Sequence, residues 1–272
     1  MSFSEQEISK FAAFAARLAD AARAETLPRF RNGVRVANKA GASFDPVTDA
    51  DREAERAIRE MIAKDYPDHG VIGEEFGETK GDGPWRWVLD PIDGTRAFVC
   101  GVASWTTLIA LEYEEKPVIG LIDQAYTDER WIAADGAARF RHGGVEKECR
   151  TSGVDDLSIA LISTTDPRPA PAGYLYDQEA SAFARLADKT RLARFSMDAY
   201  AYALLAHGEL DLVVEAGLQH HDYAALAPVV EGAGGVITNW AGEPVGSDAR
   251  GETVAAASPA LHAAALEVLN AT

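Results

Sequence analysis

Trp87-Val88-Leu89-Asp90-Pro91-Ile92-Asp93-Gly94-Thr95-Arg96-Ala97-Phe98 decides how this chain is read. An apolar run of strand type, Trp87 to Leu89, ends in two acids three positions apart, and Pro91 and Gly94 turn the chain around them. Apolar neighbours desolvate both carboxylates, and two carboxylates held that close repel unless a proton or a cation lies between them. Hard oxygen donors of this kind favour magnesium, manganese or calcium over zinc. Gly94 and Thr95 add backbone N–H groups and a hydroxyl, and a helix starting there would turn its N-terminus toward a phosphate. Taken alone, the segment is read more simply as a turn that caps a helix, since Asp-Pro and Asp-Gly are common turn pairs.

Three more acidic segments shift that balance. Gly73-Glu74-Glu75-Phe76-Gly77 follows a strand end at Val71-Ile72; two adjacent acids between glycines can send one carboxylate inward and the other outward, though alone the segment reads more simply as a solvated acidic loop. Asp45-Pro46-Val47-Thr48-Asp49-Ala50-Asp51 opens a helix, with Thr48 and Asp51 at capping-box spacing; capping and metal binding by Asp51 do not exclude each other. His220-His221-Asp222-Tyr223-Ala224-Ala225 sets Asp222 at the head of another helix, where capping is again the simple reading. The histidine doublet invites zinc, but neither cysteine nor a His-x-x-x-His pair accompanies it, so His220 and His221 are expected near the site and not as ligands.

Working outward, helical spacing predicts a helix from about Ser4 to Arg29, capped by Ser4 with Glu7 three residues on, and a second from Asp49 to Lys64. Residues 105–112, 117–124 and 130–134 read as strands of an antiparallel meander. The second half alternates: strand 158–163, helices 178–188 and 199–207, strand 211–214, helix 222–233, strand 236–238, and a last helix capped by Ser258 with Pro259 in its first turn. Asp166 to Gly173, with its prolines, reads as a surface loop and not an interdomain linker. Together these elements predict a layered α/β sandwich over 1–272 as one unit. Residues 1–140 would form helices plus an antiparallel sheet carrying most of the acids, and 141–272 the alternating α/β half with Asp198, Glu215 and Asp222.

The bulk composition excludes some functions. With 272 residues, 47% hydrophobic and 25% charged, the chain is an ordinary globular one. A net charge of −17 argues against binding nucleic acid or an anionic membrane by bulk attraction, and a phosphate site on such a chain needs local positive charge, with bound cations the obvious source. Cys100 and Cys149 make no disulfide framework, which points to a reducing compartment. Without a basic leader or a run near ~18 apolar residues, a cytoplasmic protein is expected. Cys100, flanked by Val99 and Gly101, reads as a buried thiol and not a nucleophile.

The four acidic segments, in this order, resemble the inositol monophosphatase superfamily, whose motifs are Asp-x-x-x-x-x-Asp, Gly-Glu-Glu, Asp-Pro-(Ile/Leu)-Asp-Gly-Thr and a late Trp/Tyr-Asp-x-Ala. The resemblance covers nearly the whole chain. It implies an αβαβα sandwich, usually a homodimer, and hydrolysis of a small phosphate monoester with two or three Mg²⁺ ions, Mn²⁺ being a possible substitute. It assigns Glu74, Asp90 and the carbonyl of Ile92 to a first metal, and Asp90, Asp93 and Asp222 to a second. Glu74 and Asp51 would reach a third. Thr95 paired with Asp51 would orient the attacking water, with Glu74 counted in the catalytic group. The backbone of Gly94 and Thr95 would hold the phosphate, with Asp93 and Asp222 also against the substrate.

A narrower resemblance concerns the substrate. Phe195 to Ala206 and Asp211 to Leu218, with Arg96-Ala97-Phe98 after the Asp-Gly-Thr, are similar to the histidinol-phosphate phosphatase branch. Asp198 and Glu215 would then meet the ammonium and imidazole of L-histidinol phosphate. Ser196 and Met197 depart from the glycine-containing pattern of that branch, and Asp198 also reads as an N-cap of the 199–207 helix. The alternatives are an inositol-1-phosphatase or broad sugar phosphatase and, in another class, a metal-binding regulatory protein without catalysis. The last would be marked by a missing ligand, yet Glu74, Asp90, Asp93, Thr95 and Asp222 are all present.

Overall fold

The computed structural model describes residues 4–33, 36–38 and 46–271; Asp45 lies outside them. Helix α1 (Glu5–Thr26) is capped by the Ser4 hydroxyl, which accepts the Glu7 N–H at 3.2 Å. The short strands β1 (Val36–Asn38) and β2 (Pro46–Thr48) pair antiparallel and lead into α2 (Asp49–Asp65). Then come β3 (Gly70–Gly73), β4 (Gly77–Thr79), β5 (Trp85–Asp93) and the short helix α3 (Thr95–Cys100). The expected meander follows as β6 (Thr106–Tyr113), β7 (Lys116–Gln124) and β8 (Glu129–Ala134), and continues through β9 (Ala137–His142) and β10 (Val145–Glu148). These eight strands form one sheet in the order β10-β9-β8-β7-β6-β5-β3-β4, antiparallel except where β3 runs parallel to β5.

The second half contributes β11 (Leu161–Thr164), α4 (Asp177–Ala187), β12 (Leu192–Phe195), α5 (Tyr200–Ala206) and β13 (Leu212–Glu215). It ends with α6 (His220–Tyr223), α7 (Leu226–Gly232), β14 (Val236–Thr238), β15 (Thr253–Ala256) and α8 (Pro259–Leu269). Its five-stranded sheet runs β12-β11-β13-β15-β14, parallel on the β12 side and antiparallel around β15.

Alternation along β5 and β6 builds the layers. Trp87, Leu89, Ile109 and Leu111 face α1 and α2, where Phe14, Leu18, Ile58 and Ile62 cover them. Val88, Leu108 and Ala110 face the other way, onto α5 and α7, whose Leu205, Val229 and Val230 also reach Val213 and Ala255 of the second sheet. The far face of that sheet, with Ile162, Leu212 and Val254, is closed by α4 and α8 through Phe183, Leu186 and Leu261. The order is αβαβα, the layering that the family resemblance implies. Each fully buried large side chain contributes roughly 1.5–3 kcal/mol. Among the described residues no helix is long and apolar enough to cross a membrane.

Three predicted elements differ. The helix expected over 222–233 is broken between α6 and α7, because Pro228 has no N–H to give the Ala224 carbonyl four residues back. Gly120 lets that break approach β7: a Cβ there would lie 2.2 Å from the Ala225 carbonyl oxygen. The strand expected from Ser158 begins instead as a 3₁₀ turn over Leu157–Ile159, since the Asp156 carboxylate accepts the Ser158 N–H at 2.8 Å. The first helix ends at Thr26, and residues 27–30 continue as a turn.

Candidate metal and phosphate site

In a regular strand, residues three apart point to opposite faces. Asp90 and Asp93 do not, because β5 bulges between them. Asp90 pairs with Leu108 and Asp93 with Thr106, so Pro91 and Ile92 together oppose Thr107 alone. The Thr107 hydroxyl fixes the bulge by donating to the Pro91 carbonyl at 2.7 Å. The Asp90 carboxylate accepts the Ile92 N–H at 3.0 Å, closing the turn from the other side.

Asp222 joins this pair from the second half. Its carboxylate accepts the Gln219 N–H at 2.6 Å, so the expected capping role is present along with the clustering. Oxygen atoms of Asp90, Asp93 and Asp222 all lie within 4.8 Å of one another. Burial, then the charges of Glu74, Asp93 and Asp222, push Asp90 well above the ordinary carboxylate range. Burial, then Asp198 and Asp222, do the same to Asp93. Asp222 is raised by burial, with His221 opposing. Carboxyls raised by burial and by one another form a donor set that fits a hard divalent cation, and Glu74 adjoins Asp90.

The flank toward α2 holds the proposed water-handling pair. Asp51 is buried and accepts the Thr48 N–H at 2.9 Å in the predicted capping box. Its other oxygen accepts from the Thr95 hydroxyl at 3.5 Å, and that hydroxyl also reaches the Ile92 carbonyl at 3.1 Å. Burial lifts Asp51 to about 7 against its hydrogen bonds from Thr48, with Glu75 and Glu74 adding to the rise. Gly94 adopts the left-handed backbone (φ 80°) at the head of α3, and a Cβ there would lie 2.9 Å from an Asp198 carboxylate oxygen. Glycine is therefore required twice over, by conformation and by the approach of Asp198.

A crevice of about 700 Å³ contains Glu74, Asp90, Ile92 and the Asp93–Thr95 turn at one end, and Asp198, Glu215 and Asp222 along its wall. Every site residue expected from the sequence lines it except Asp51, which reaches it through Thr95. Asp198 caps no helix: α5 starts at Tyr200, and the Ala199 N–H donates to Asp93 at 2.7 Å. Asp198 is raised to about 6 by burial, with the Arg96 guanidinium opposing and Asp222 adding. Glu215 is a buried part of the crevice wall, accepting the Thr165 N–H at 2.6 Å and its hydroxyl at 2.8 Å; burial nevertheless lifts it to about 8. Ser196, at φ 63°, takes the left-handed backbone that favours glycine.

Several residues behave differently from expectation. The Glu75 carboxylate is not turned outward: its side chain is 1% exposed and lies 3.5 Å from Arg52. Cys100 is exposed, while Cys149 is the buried thiol. His221 borders the crevice, 3.4 Å from Asp222, whereas His220 bonds the buried Glu112 at 2.6 Å. The Asp166–Gly173 loop does lie at the surface, yet its inner side, continuing to Tyr174 and Tyr176, forms a wall of the crevice. There the Arg96 guanidinium stacks 4.5 Å over the Tyr174 ring and Arg250 stacks 3.8 Å over Tyr176. Neither contact is legible in the sequence, since each joins segments about 75 residues apart.

The family model for the inositol monophosphatase family matches residues 7–271. The chain is 42% identical to the chloroplastic bifunctional phosphatase IMPL2 of Arabidopsis thaliana over 88% of its own length and 67% of that protein. It is 35% identical to a histidinol-phosphatase of Mycobacterium tuberculosis over 93% and 96% of the two chains. Among solved structures, an inositol monophosphatase from Zymomonas mobilis superposes with a TM-score of 0.84 at 38% identity, covering 100% of both chains.

Proposed function

The chain belongs to the inositol monophosphatase family and is a phosphoric monoester hydrolase; from that premise we propose that it hydrolyses L-histidinol phosphate to L-histidinol and phosphate with Mg²⁺. The observation that carries the substrate reading is the presence of two acids, Asp198 and Glu215, in the same crevice as the Asp90–Thr95 turn. A phosphate monoester whose other end bears an ammonium and an imidazole matches that distribution: the phosphate goes to the turn and the cationic end to the acids.

Glu74, Asp90, Asp93, Asp222 and the Ile92 carbonyl would hold the metal ions, with Asp51 near a third. Bound Mg²⁺ supplies charge neutralisation of the phosphoryl oxygens, a more acidic water and support for the leaving alkoxide. The chain's own residues do the rest. The backbone amides of Gly94 and Thr95, at the head of α3, bind phosphoryl oxygens. The Thr95 hydroxyl, held between Asp51 and the Ile92 carbonyl, orients the water on the phosphorus side. Asp51, which accepts a hydrogen bond from that hydroxyl, is placed to take the water's proton through it. Asp198 and Glu215 fix the alcohol portion so that its ester oxygen leads away from the attacking side. The enzyme is proposed to act as a homodimer in the cytoplasm, where its two unlinked cysteines remain reduced.

A polyol phosphate is the second reading, favoured by Arg96, whose charge beside Asp198 weakens that acid's pull on a cation. Asp198→Ala separates the two. Its kcat/KM should fall at least ~10-fold on histidinol phosphate, the loss expected for leaving a charged group unpaired, and much less on an aryl phosphate. Equal losses on both substrates would give Asp198 a structural role and remove the main support for a cationic substrate.

A further inference from the structure

Glu55 is buried without exposure and takes no part in the chemistry above. It lies one helical turn after Asp51 on α2, and its carboxylate accepts the N–H of Glu75 at 2.7 Å and of Phe76 at 3.3 Å. The Nε of Arg59, one turn further on, donates to it at 2.7 Å. The preceding amide of the same turn, that of Glu74, donates to the Leu89 carbonyl at 3.2 Å, next to Asp90. Three consecutive amides, 74 to 76, thus have fixed acceptors, and Glu55 supplies two of them.

Two neighbours show how closely the turn is fitted to this carboxylate. A Cβ on Gly73 would lie 2.0 Å from Glu55 Oε1, so the carboxylate fills the space into which any side chain at that position would project. Arg59 grips the other end of the turn, through the Thr79 hydroxyl at 3.0 Å and the Gly77 carbonyl. Arg52, on the same stripe of α2, lies 3.5 Å from the Glu75 carboxylate. Residues 52, 55 and 59 therefore present one face of the helix to the whole turn.

We propose that Glu55 is a positioning residue for Glu74, holding the Gly73–Gly77 turn to α2 so that Glu74 and Asp51 keep a fixed separation across the metal site. The proposal rests on the reading of Glu74 as a metal ligand. The plainer role for a buried Glu55–Arg59 pair is to stabilise the β3–β4 hairpin. Geometry favours more than that, because the two amides Glu55 holds directly follow Glu74, and the helix that supplies the clamp also supplies Asp51. A carboxylate is needed for the task. Two oxygens can serve two amides and a guanidinium at once, whereas a glutamine would set its own N–H₂ against one of those donors.

The test is calorimetric titration of the full chain with Mn²⁺ alone, together with hydrogen exchange at the Glu75 and Phe76 amides in the metal-free protein. Glu55→Gln should weaken Mn²⁺ binding about 10–100-fold, as for other partners that orient metal ligands, and speed exchange at both amides. Its kcat at saturating Mg²⁺ should stay within a few fold of wild type. Arg130→Lys, in the ion pairs with Asp123 and Asp20 remote from the crevice, is the control for general destabilisation and should leave Mn²⁺ affinity unchanged. If Glu55→Gln lowers thermal stability but binds Mn²⁺ as wild type does, Glu55 only stabilises the hairpin and the proposal is overturned. Should that variant not fold, Arg59→Lys carries the test: it keeps the charge but loses the forked grip, and should weaken Mn²⁺ binding roughly threefold, with no change overturning the proposal. Wild type that binds no Mn²⁺ would instead refute the metal reading beneath it.

Discussion

Asp93→Asn should abolish activity and yet make the metal-free protein more stable. Asp93 faces Asp90 and Asp222 with oxygens within 4.8 Å. At an effective dielectric constant near 20, two unit charges about 5 Å apart cost about 3 kcal/mol. The raised carboxyls avoid part of this by keeping protons, but keeping a proton above the normal range of an aspartate also costs folding free energy, and more so as pH rises. A neutral amide avoids both costs. It also keeps a carbonyl oxygen to accept the Ala199 N–H that Asp93 now takes at 2.7 Å. A net gain of about 1–3 kcal/mol at pH near 8 in EDTA corresponds to a rise in Tm of about 2–6 °C, shrinking toward pH 5. Adding Mg²⁺ should reverse the order, because only wild type gains the binding free energy. Differential scanning calorimetry in EDTA and in Mg²⁺ reads all of this. A variant less stable than wild type in EDTA, or stabilised equally by Mg²⁺, would refute the picture of mutually repelling ligands.

Two further outcomes follow from the same geometry. Thr95→Ala should lower kcat about 10²-fold with KM and Tm nearly unchanged, since the hydroxyl orients water and its hydrogen bond to Ile92 is worth only about 1 kcal/mol; steady-state kinetics with a loss confined to KM would contradict that role. In EDTA, Tm should fall as pH rises from about 5 to about 8.5. Asp51 at about 7 and Glu215 at about 8 both lie above their unfolded values, so their contribution is complete below about pH 4 and is lost as pH passes through the folded values. Glu215→Gln should flatten the upper part of that slope, and a Tm that climbs with pH in the metal-free protein would show these groups are not held as described.

The acids of the site were legible because motif spacing is local, while their convergence was not. Asp90 and Asp93 read as a pair, but three-residue spacing on a strand sends side chains to opposite faces. Only the bulge held by Thr107 brings them together, and Thr107 sits on the neighbouring strand. Asp51 and Asp222 read equally well as helix caps, and the structure gives them that role as well as a place at the site. The layered fold followed from hydrophobic periodicity, whereas β12 and β15 were invisible: Leu192–Phe195 is short and largely exposed, and Thr253–Ala256 is half alanine. The helix break before Leu226 has its sequence signal in Pro228, although helical spacing runs across it. Glu55 was hidden for another reason. On a helical wheel it falls beside Ala54 and Ile58, and an acid there signals nothing until the turn that fills its hydrogen bonds is in place.

The proposed enzyme is a magnesium-dependent phosphatase whose crevice selects a cationic alcohol. Phosphate release from L-histidinol phosphate and from inositol 1-phosphate, each measured in Mg²⁺ and again after EDTA, tests it most directly. kcat/KM should be at least ~10-fold higher for histidinol phosphate, the discrimination one well-placed ion pair provides, and both activities should be lost in EDTA. Equal turnover of the two esters, or activity that survives EDTA, would contradict it.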